Sequence, residues 1–139
     1  MKSIKIISVG KIKDKNVSAM INEYEKRLKP FIKLGFQELK DETINRESEK
    51  IIELIDNNSF ILDESGINYS SMEFSELIMK KDNIKFIIGG AYGINQKAKS
   101  KAKLLSLSKM TFTHEMAKLF LIEQIYRAIM IINNRRYHK

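Results

Sequence analysis

The sequence predicts an α/β fold, a mainly parallel sheet flanked by helices, and three observations carry that prediction. Short β-branched runs alternate with helix-length segments along the whole chain. The runs end at turn residues, most plainly at Gly10 and at the group Gly89, Gly90 and Gly93. No Gly/Ser-rich or proline-rich linker divides the 139 residues, so a single domain over residues 1–139 is expected.

The elements follow in order. Residues 3–9 read as a strand ending at Gly10. Residues 17–28 read as a helix that stops before Pro30, the only proline. Residues 36–39 are a short strand. Residues 46–56 are helical, with Ile51, Ile52, Leu54 and Ile55 as the apolar face. Residues 59–62 form a short buried strand. Ser70 and Glu73 have capping-box spacing and open a helix to about residue 81. Residues 84–88, apolar after Lys85, are the next strand. Asn95 caps a basic helix running through residue 103. Residues 105–112 read as the last strand and residues 115–133 as the last helix.

Composition removes several function classes. There is no cysteine, hence no disulfide framework and no thiolate metal site. His114 and His138 are the only histidines, and no metal is expected. The first residues combine a short apolar run with charges at Lys11, Lys13 and Asp14 and no small-residue cleavage site, which suits a strand better than a signal peptide. Glu123, Gln124 and Arg127 interrupt the last helix and argue against a membrane span. A soluble, cytoplasmic protein is expected. The net charge of +8, from 25 basic and 17 acidic residues, favours a polyanionic partner, RNA ahead of DNA or membrane.

The last helix is apolar all round: Met116, Leu119, Phe120, Leu121, Ile122, Ile125, Ile129, Met130, Ile131 and Ile132 leave no polar face. A helix in a small domain usually shows one apolar stripe. Burial on several sides is expected, with a symmetric subunit interface as the simplest explanation.

Sheets of this class bind ligands at the C-terminal ends of their strands. Asp63, Gly89 and the loop after Phe112 fall there. The stretch from Gly89 to Gly93 is not G-x-G-x-x-G, and by itself suits a tight turn as well as a ligand loop. Asp63 and Glu64 are adjacent, so on a strand they point to opposite faces and suit turn chemistry before Gly66. Lys109 reads as a solvated charge and His114 as a cap or packing residue. Arg135, Arg136, Tyr137 and His138 form either a frayed end or a basic, aromatic RNA contact.

Taken together these segments resemble a known family. FIIGG-x-x-G, LSLSKMTF-x-H, LIEQIYRA and the terminal YHK, with KIISVGKIK and EYEKRL near the start, are similar to the RlmH-type SPOUT methyltransferases. Those enzymes modify a pseudouridine of 23S ribosomal RNA at N3. The resemblance implies S-adenosyl-L-methionine as cofactor, a homodimer acting on the ribosome, and a C-terminal trefoil knot. It implies a cofactor pocket at Leu62, Gly89 and the backbone of Leu107, Ser108, Lys109, Met110, Thr111 and Phe112, where a side chain at Gly89 would fill the adenine slot. It places Arg127, Tyr137 and His138 at the RNA substrate. His138 would take the N3 proton, Tyr137 would stack on or orient the base, and Arg127 would stabilise negative charge on the ring. Thr113 stands where the family usually has proline, and Lys118 where it usually has arginine. The rivals are a non-enzymatic RNA-binding α/β domain and a nucleotide-binding protein of flavodoxin-like shape.

Overall fold

Alternate strand residues feed two separate cores, and the architecture follows from that. A computed structural model describes residues 1–139. In chain order the elements are β1 (Ser3–Val9), α1 (Lys15–Leu28), β2 (Lys33–Leu39), α2 (Ile44–Leu54), β3 (Ser59–Asn68), α3 (Ser71–Met79), β4 (Asn83–Ile88), α4 (Gln96–Lys99), β5 (Lys103–Ser106) and α5 (His114–Ile132). The five strands form one sheet in the order β2-β1-β4-β3-β5, and every neighbouring pair is parallel. Ile4 and Ile6 of β1, Phe60 of β3 and Ile84, Phe86 and Ile88 of β4 pack with α1, α3 and α5. Ile7, Val9, Ile61 and Ile87 point the other way and pack with Ile51 of α2 and Ala98 of α4. Both faces are covered, which is why these strands are apolar nearly throughout.

Side-chain caps start the helices within two residues of the expected positions. Asp14 accepts the N–H groups of Asn16 and Val17, Thr43 that of Arg46, and Asn95 that of Ala98. Ser70 and Glu73 form the full capping box expected of them. At α5 the cap is Thr113, which accepts the Met116 N–H at 3.3 Å, and His114 is the first helical residue rather than the cap.

Besides shifts of one to three residues at most of the other element ends, three boundaries differ more from the sequence prediction. The helix expected through residue 103 is a single turn, α4, because Lys103 already pairs with Phe60 at the start of β5. The strand expected over 105–112 stops at Ser106. Its only neighbour is β3, which ends opposite it at Asn68, so residues 107–113 have nothing to pair with and form a loop. β3 in turn runs six residues beyond Leu62, through an irregularity in which Leu105 pairs with both Leu62 and Ile67.

The all-round apolar character of α5 is met largely inside the chain. The helix lies against β4 between α1 and α3. Leu121, Ile122, Ile125, Ala128, Ile129 and Met130 are buried there, and Phe120, at 37% exposure, is the large apolar residue of α5 left most open. A charge at Ile125 would therefore probe the core rather than an interface. No helix is long and apolar enough to cross a membrane.

Lys118 is buried on the sheet-facing side of α5, its Nζ 3.3 Å from Ser8 Oγ and 5.0 Å from the centre of the Phe36 ring. Burial holds its pKa below the ordinary 10.5, against the weaker pull of Glu38 and Glu25. In the window between the depressed value and 10.5 the unfolded chain binds the extra proton, so this residue makes stability rise with pH there. Lys118→Met should raise stability at neutral pH by about 1 kcal/mol, since a buried charge without a carboxylate partner is replaced by an apolar chain of similar length. Urea unfolding measures this; a loss of stability would show that the Ser8 and Phe36 contacts outweigh the desolvation.

Candidate functional site

The C-terminal ends of β4 and β5, the irregular middle of β3 and the loop after β1 open onto one cleft of about 1070 Å³. Its walls include Leu62, Ile88, Gly89, Leu107, Ser108, Met110, Thr111 and Phe112, together with Val17 and the start of α5. Lys109, in the same loop, is exposed and does not line the cleft. Glu115 closes one side by accepting the backbone N–H groups of Lys13 and Asp14, each at 3.1 Å.

β4 enters the cleft through the glycine turn. Gly93 has a φ of +86° and donates its N–H to Gly90 O at 3.0 Å. A Cβ at Gly89 would stand 2.6 Å from Ile94 Cγ1 and 3.1 Å from the Gly93 carbonyl carbon. Glycine is thus required by the turn folding back on itself. A side chain there meets the turn itself, Ile94 and Gly93, and would push the turn open. The loop after β5 is held by side chains instead. Ser106 Oγ donates to Ser108 O at 2.8 Å, Met110 N–H to Ser108 Oγ at 3.0 Å, and Thr111 Oγ1 to Glu64 Oε2 at 2.5 Å. Residues 108–112 take part in none of the backbone–backbone bonds of the loops and turns, which leaves peptide groups available to a ligand.

The β3 irregularity brings both Asp63 and Glu64 to the cleft, where strict alternation would bring one. Asp63 makes the expected turn, accepting the Ser65 N–H at 3.1 Å and the Ser65 hydroxyl. It also pairs with Lys99 of α4 at 2.8 Å. Burial pushes the Asp63 carboxyl up, but Lys99 and Ser65 together hold it below the ordinary value. Asp63 and Glu64 so brace the glycine-turn side of the cleft against the 107–112 loop.

A second cluster forms on the outward face of α5. Asn134, with a φ of +55°, turns the chain after the helix, and the Arg135 N–H bonds to Met130 O at 2.8 Å. The segment then runs back along the helix. Tyr137 donates its hydroxyl to Glu123 Oε2 at 2.8 Å, so in its 3.1 Å contact with the Tyr24 hydroxyl it must accept. Burial, then the bonds to Tyr24 and Glu123, raise the Tyr137 pKa well above that of a free phenol, so it stays neutral at physiological pH. Arg127 donates to Glu123 at 3.1 Å and lies over the Tyr137 ring at 4.9 Å. Its other terminal nitrogen is 3.1 Å from His138 Nδ1. A guanidinium only donates, so Nδ1 accepts and a neutral His138 carries its proton on Nε2.

Arg127, Tyr137 and His138 are therefore brought together with one another but not with the cleft. His114 opens α5 at the cleft, and Arg127 lies thirteen residues along it, about 20 Å at 1.5 Å per residue. A smaller hollow of about 300 Å³ lies between them, sharing Leu107 and Phe112 with the cleft and Glu123 with the cluster. No group of three or more His, Asp and Glu side chains is placed to hold a metal ion. Glu123 and Tyr24 are members of the cluster that the sequence reading did not single out; the four-residue spacing of Glu123 and Arg127 on an otherwise apolar helix was the available signal.

Comparison with known proteins decides the family. The profile described as "Predicted SPOUT methyltransferase" matches residues 1–138. The chain belongs to the SPOUT methyltransferase family. Among its SPOUT relatives, the "Ribosomal RNA large subunit methyltransferase H" of Dictyoglomus thermophilum is 45% identical, with 98% of this chain and 99% of that protein aligned. The proteins of the same name from Malacoplasma penetrans and Clostridium botulinum are each 42% identical, covering 98% and 99% of this chain and 99% of their own length.

Proposed function

We propose that this SPOUT protein methylates ribosomal RNA of the large subunit, using S-adenosyl-L-methionine, at N3 of a pseudouridine in 23S rRNA. The observation that carries the reading is the cleft at the strand ends, lined by peptide groups without backbone partners and by apolar side chains, in a chain aligned end to end with relatives named for large-subunit rRNA methylation. A cleft of this size and mixed lining fits a nucleoside cofactor with an amino-acid tail. Leu62, Gly89 and residues 107–112 would hold it. When bound, S-adenosylmethionine supplies an activated methyl group.

The chain's own part is to orient the acceptor base and remove its N3 proton. Arg127 is suited to stabilising the charge that develops on the ring, and Tyr137, neutral and aromatic, to orienting the base. For His138 to take the proton, its Nδ1 must exchange the Arg127 contact for the substrate, because Nε2 carries a hydrogen in the arrangement described. The separation of cleft and cluster supports a homodimer in which one copy's cluster serves the other's cleft. On the same reading residues 1–139 act as one cytoplasmic domain with the C-terminal knot of the family.

Light scattering is expected to give twice the chain mass of 16.2 kDa at micromolar concentration. Phe120→Glu, on the open part of α5, should shift the protein toward monomer without unfolding it. A clean wild-type monomer would remove the shared site. The activity is tested by tritium transfer from S-adenosylmethionine to ribosomes from cells with and without the relevant pseudouridine synthase. Pseudouridine has a second ring N–H, and a site built around it penalises uridine, so transfer should fall at least about a hundredfold without the synthase. Equal transfer to both would reject pseudouridine selectivity.

A further inference from the structure

We infer that Tyr24 of α1 is a positioning residue for methyl transfer, its hydroxyl fixing the C-terminal segment through Tyr137. The inference rests on the function proposed above. Tyr24 lines no part of the cleft, so any effect it has on the chemistry must pass through other groups.

Chain ends are mobile unless something ties them down. Here the tie begins on a different helix. The Tyr24 ring is only 9% exposed and packs in the core with Ile21 and Leu28. Tyr126 lies 5.6 Å from it, centroid to centroid, and the Arg27 guanidinium covers both rings at 5.3 and 5.6 Å. Arg27 is itself held by Glu23 at 2.7 Å. With its ring enclosed in this way, Tyr24 has little freedom to place its hydroxyl elsewhere.

That hydroxyl is the only donor to Tyr137, whose own proton goes to Glu123. Glu123 Oε2 also receives Arg127, and Arg127 reaches His138 Nδ1. A continuous series of bonds therefore links Tyr24 to Tyr137, Tyr137 and Arg127 both to the Glu123 carboxylate, and Arg127 to His138, and it orients all three groups assigned to the substrate. Without the Tyr24 hydroxyl the Tyr137 oxygen loses its donor and is held from one side only, by its bond to Glu123 and the edge-on packing of Tyr126 at 4.7 Å.

The test is Tyr24→Phe in the full-length protein, which keeps the ring and its packing. Four readouts are compared with wild type: thermal melting, calorimetric binding of S-adenosylmethionine, kcat and KM for ribosome methylation, and the ¹⁵N imidazole shifts of His138, which has only His114 to be confused with. Cofactor affinity should stay within about twofold, kcat should fall about tenfold, and KM for the ribosome should change less than about threefold, the scale of one lost hydrogen bond. The His138 signals should move from the single Nε2–H tautomer toward an average of both. Tyr137→Phe breaks the same link from the other side, so the double variant should lose little beyond the worse single one. Wild-type kcat in Tyr24→Phe, losses that multiply in the double variant, or a parallel fall in melting temperature and cofactor affinity would each overturn the inference. A wild-type protein that binds no S-adenosylmethionine would instead overturn the functional reading.

Discussion

Gly89→Ala is expected to weaken S-adenosylmethionine binding by at least about thirtyfold, roughly 2 kcal/mol, while most of the sheet stays folded. The reason is local. The added methyl would stand 2.6 Å from Ile94 Cγ1, closer than real Cβ contacts, and 3.1 to 3.2 Å from the Gly93 carbonyl, a tight contact. Ile94 cannot simply swing aside, because it is buried in the smaller core with Ile7, Val9, Ile87 and Ala98. The turn from Gly89 to Gly93 must then shift, and with it the cleft wall that β4 presents. Gly35→Ala is the control: nothing lies within 4 Å of a Cβ there, so no effect on binding is expected. Calorimetry gives the affinities, and circular dichroism checks the fold. Binding within threefold of wild type in Gly89→Ala would show that the cofactor does not depend on this turn.

The parts of this molecule that were legible in the sequence are those set by local rules. The apolar β-branched run of β1, the apolar run of β4 and the Ser70–Glu73 box each act over a few residues and each has the expected form, and of the two readings of the glycines after Ile88 the tight turn is present. What was not legible depends on partners far away in sequence. Residues 107–112 have strand composition, but β3 offers no continuation beyond Asn68, so they become the loop that lines the cleft. Glu64 reaches the cleft only because four residues of β3 leave the ladder, which strand alternation cannot anticipate. The cluster around Tyr137 joins residues separated by 113 positions, Tyr24 and Tyr137, and depends on the reversal at Asn134. Even Lys118, noted in the sequence only as standing where the resembled family has arginine, is buried against Ser8 and Phe36.

Removal of Tyr137 to Lys139 is expected to leave S-adenosylmethionine affinity within about twofold of wild type and to lower methyl transfer by at least about a hundredfold, the usual scale for losing a positioned acid–base group. The two effects separate because the segment contacts Tyr24 of α1 and, on α5, Glu123 and Arg127, about 9 and 15 Å along the helix from the last cleft residue Ala117, and touches none of the cleft walls. The same distance makes a stronger experiment available. Truncated subunits keep a good cleft and lack the cluster, whereas Gly89→Ala subunits keep the cluster and lack a good cleft. If one copy's cluster serves the other's cleft, each mixed dimer regains one intact site out of two. Random pairing makes half the dimers mixed, so co-expression, assayed at a cofactor concentration too low to fill the Gly89→Ala cleft, should restore about a quarter of wild-type activity from two proteins that are each nearly silent there. If cleft and cluster of the same chain work together, no mixed dimer contains an intact site and activity stays at the level of the separate variants. Restored transfer would fix the cluster as a group acting in trans; its absence, with mixed dimers demonstrated by differential tags, would mean that the C-terminal segment leaves Glu123 and crosses to its own cleft when RNA binds.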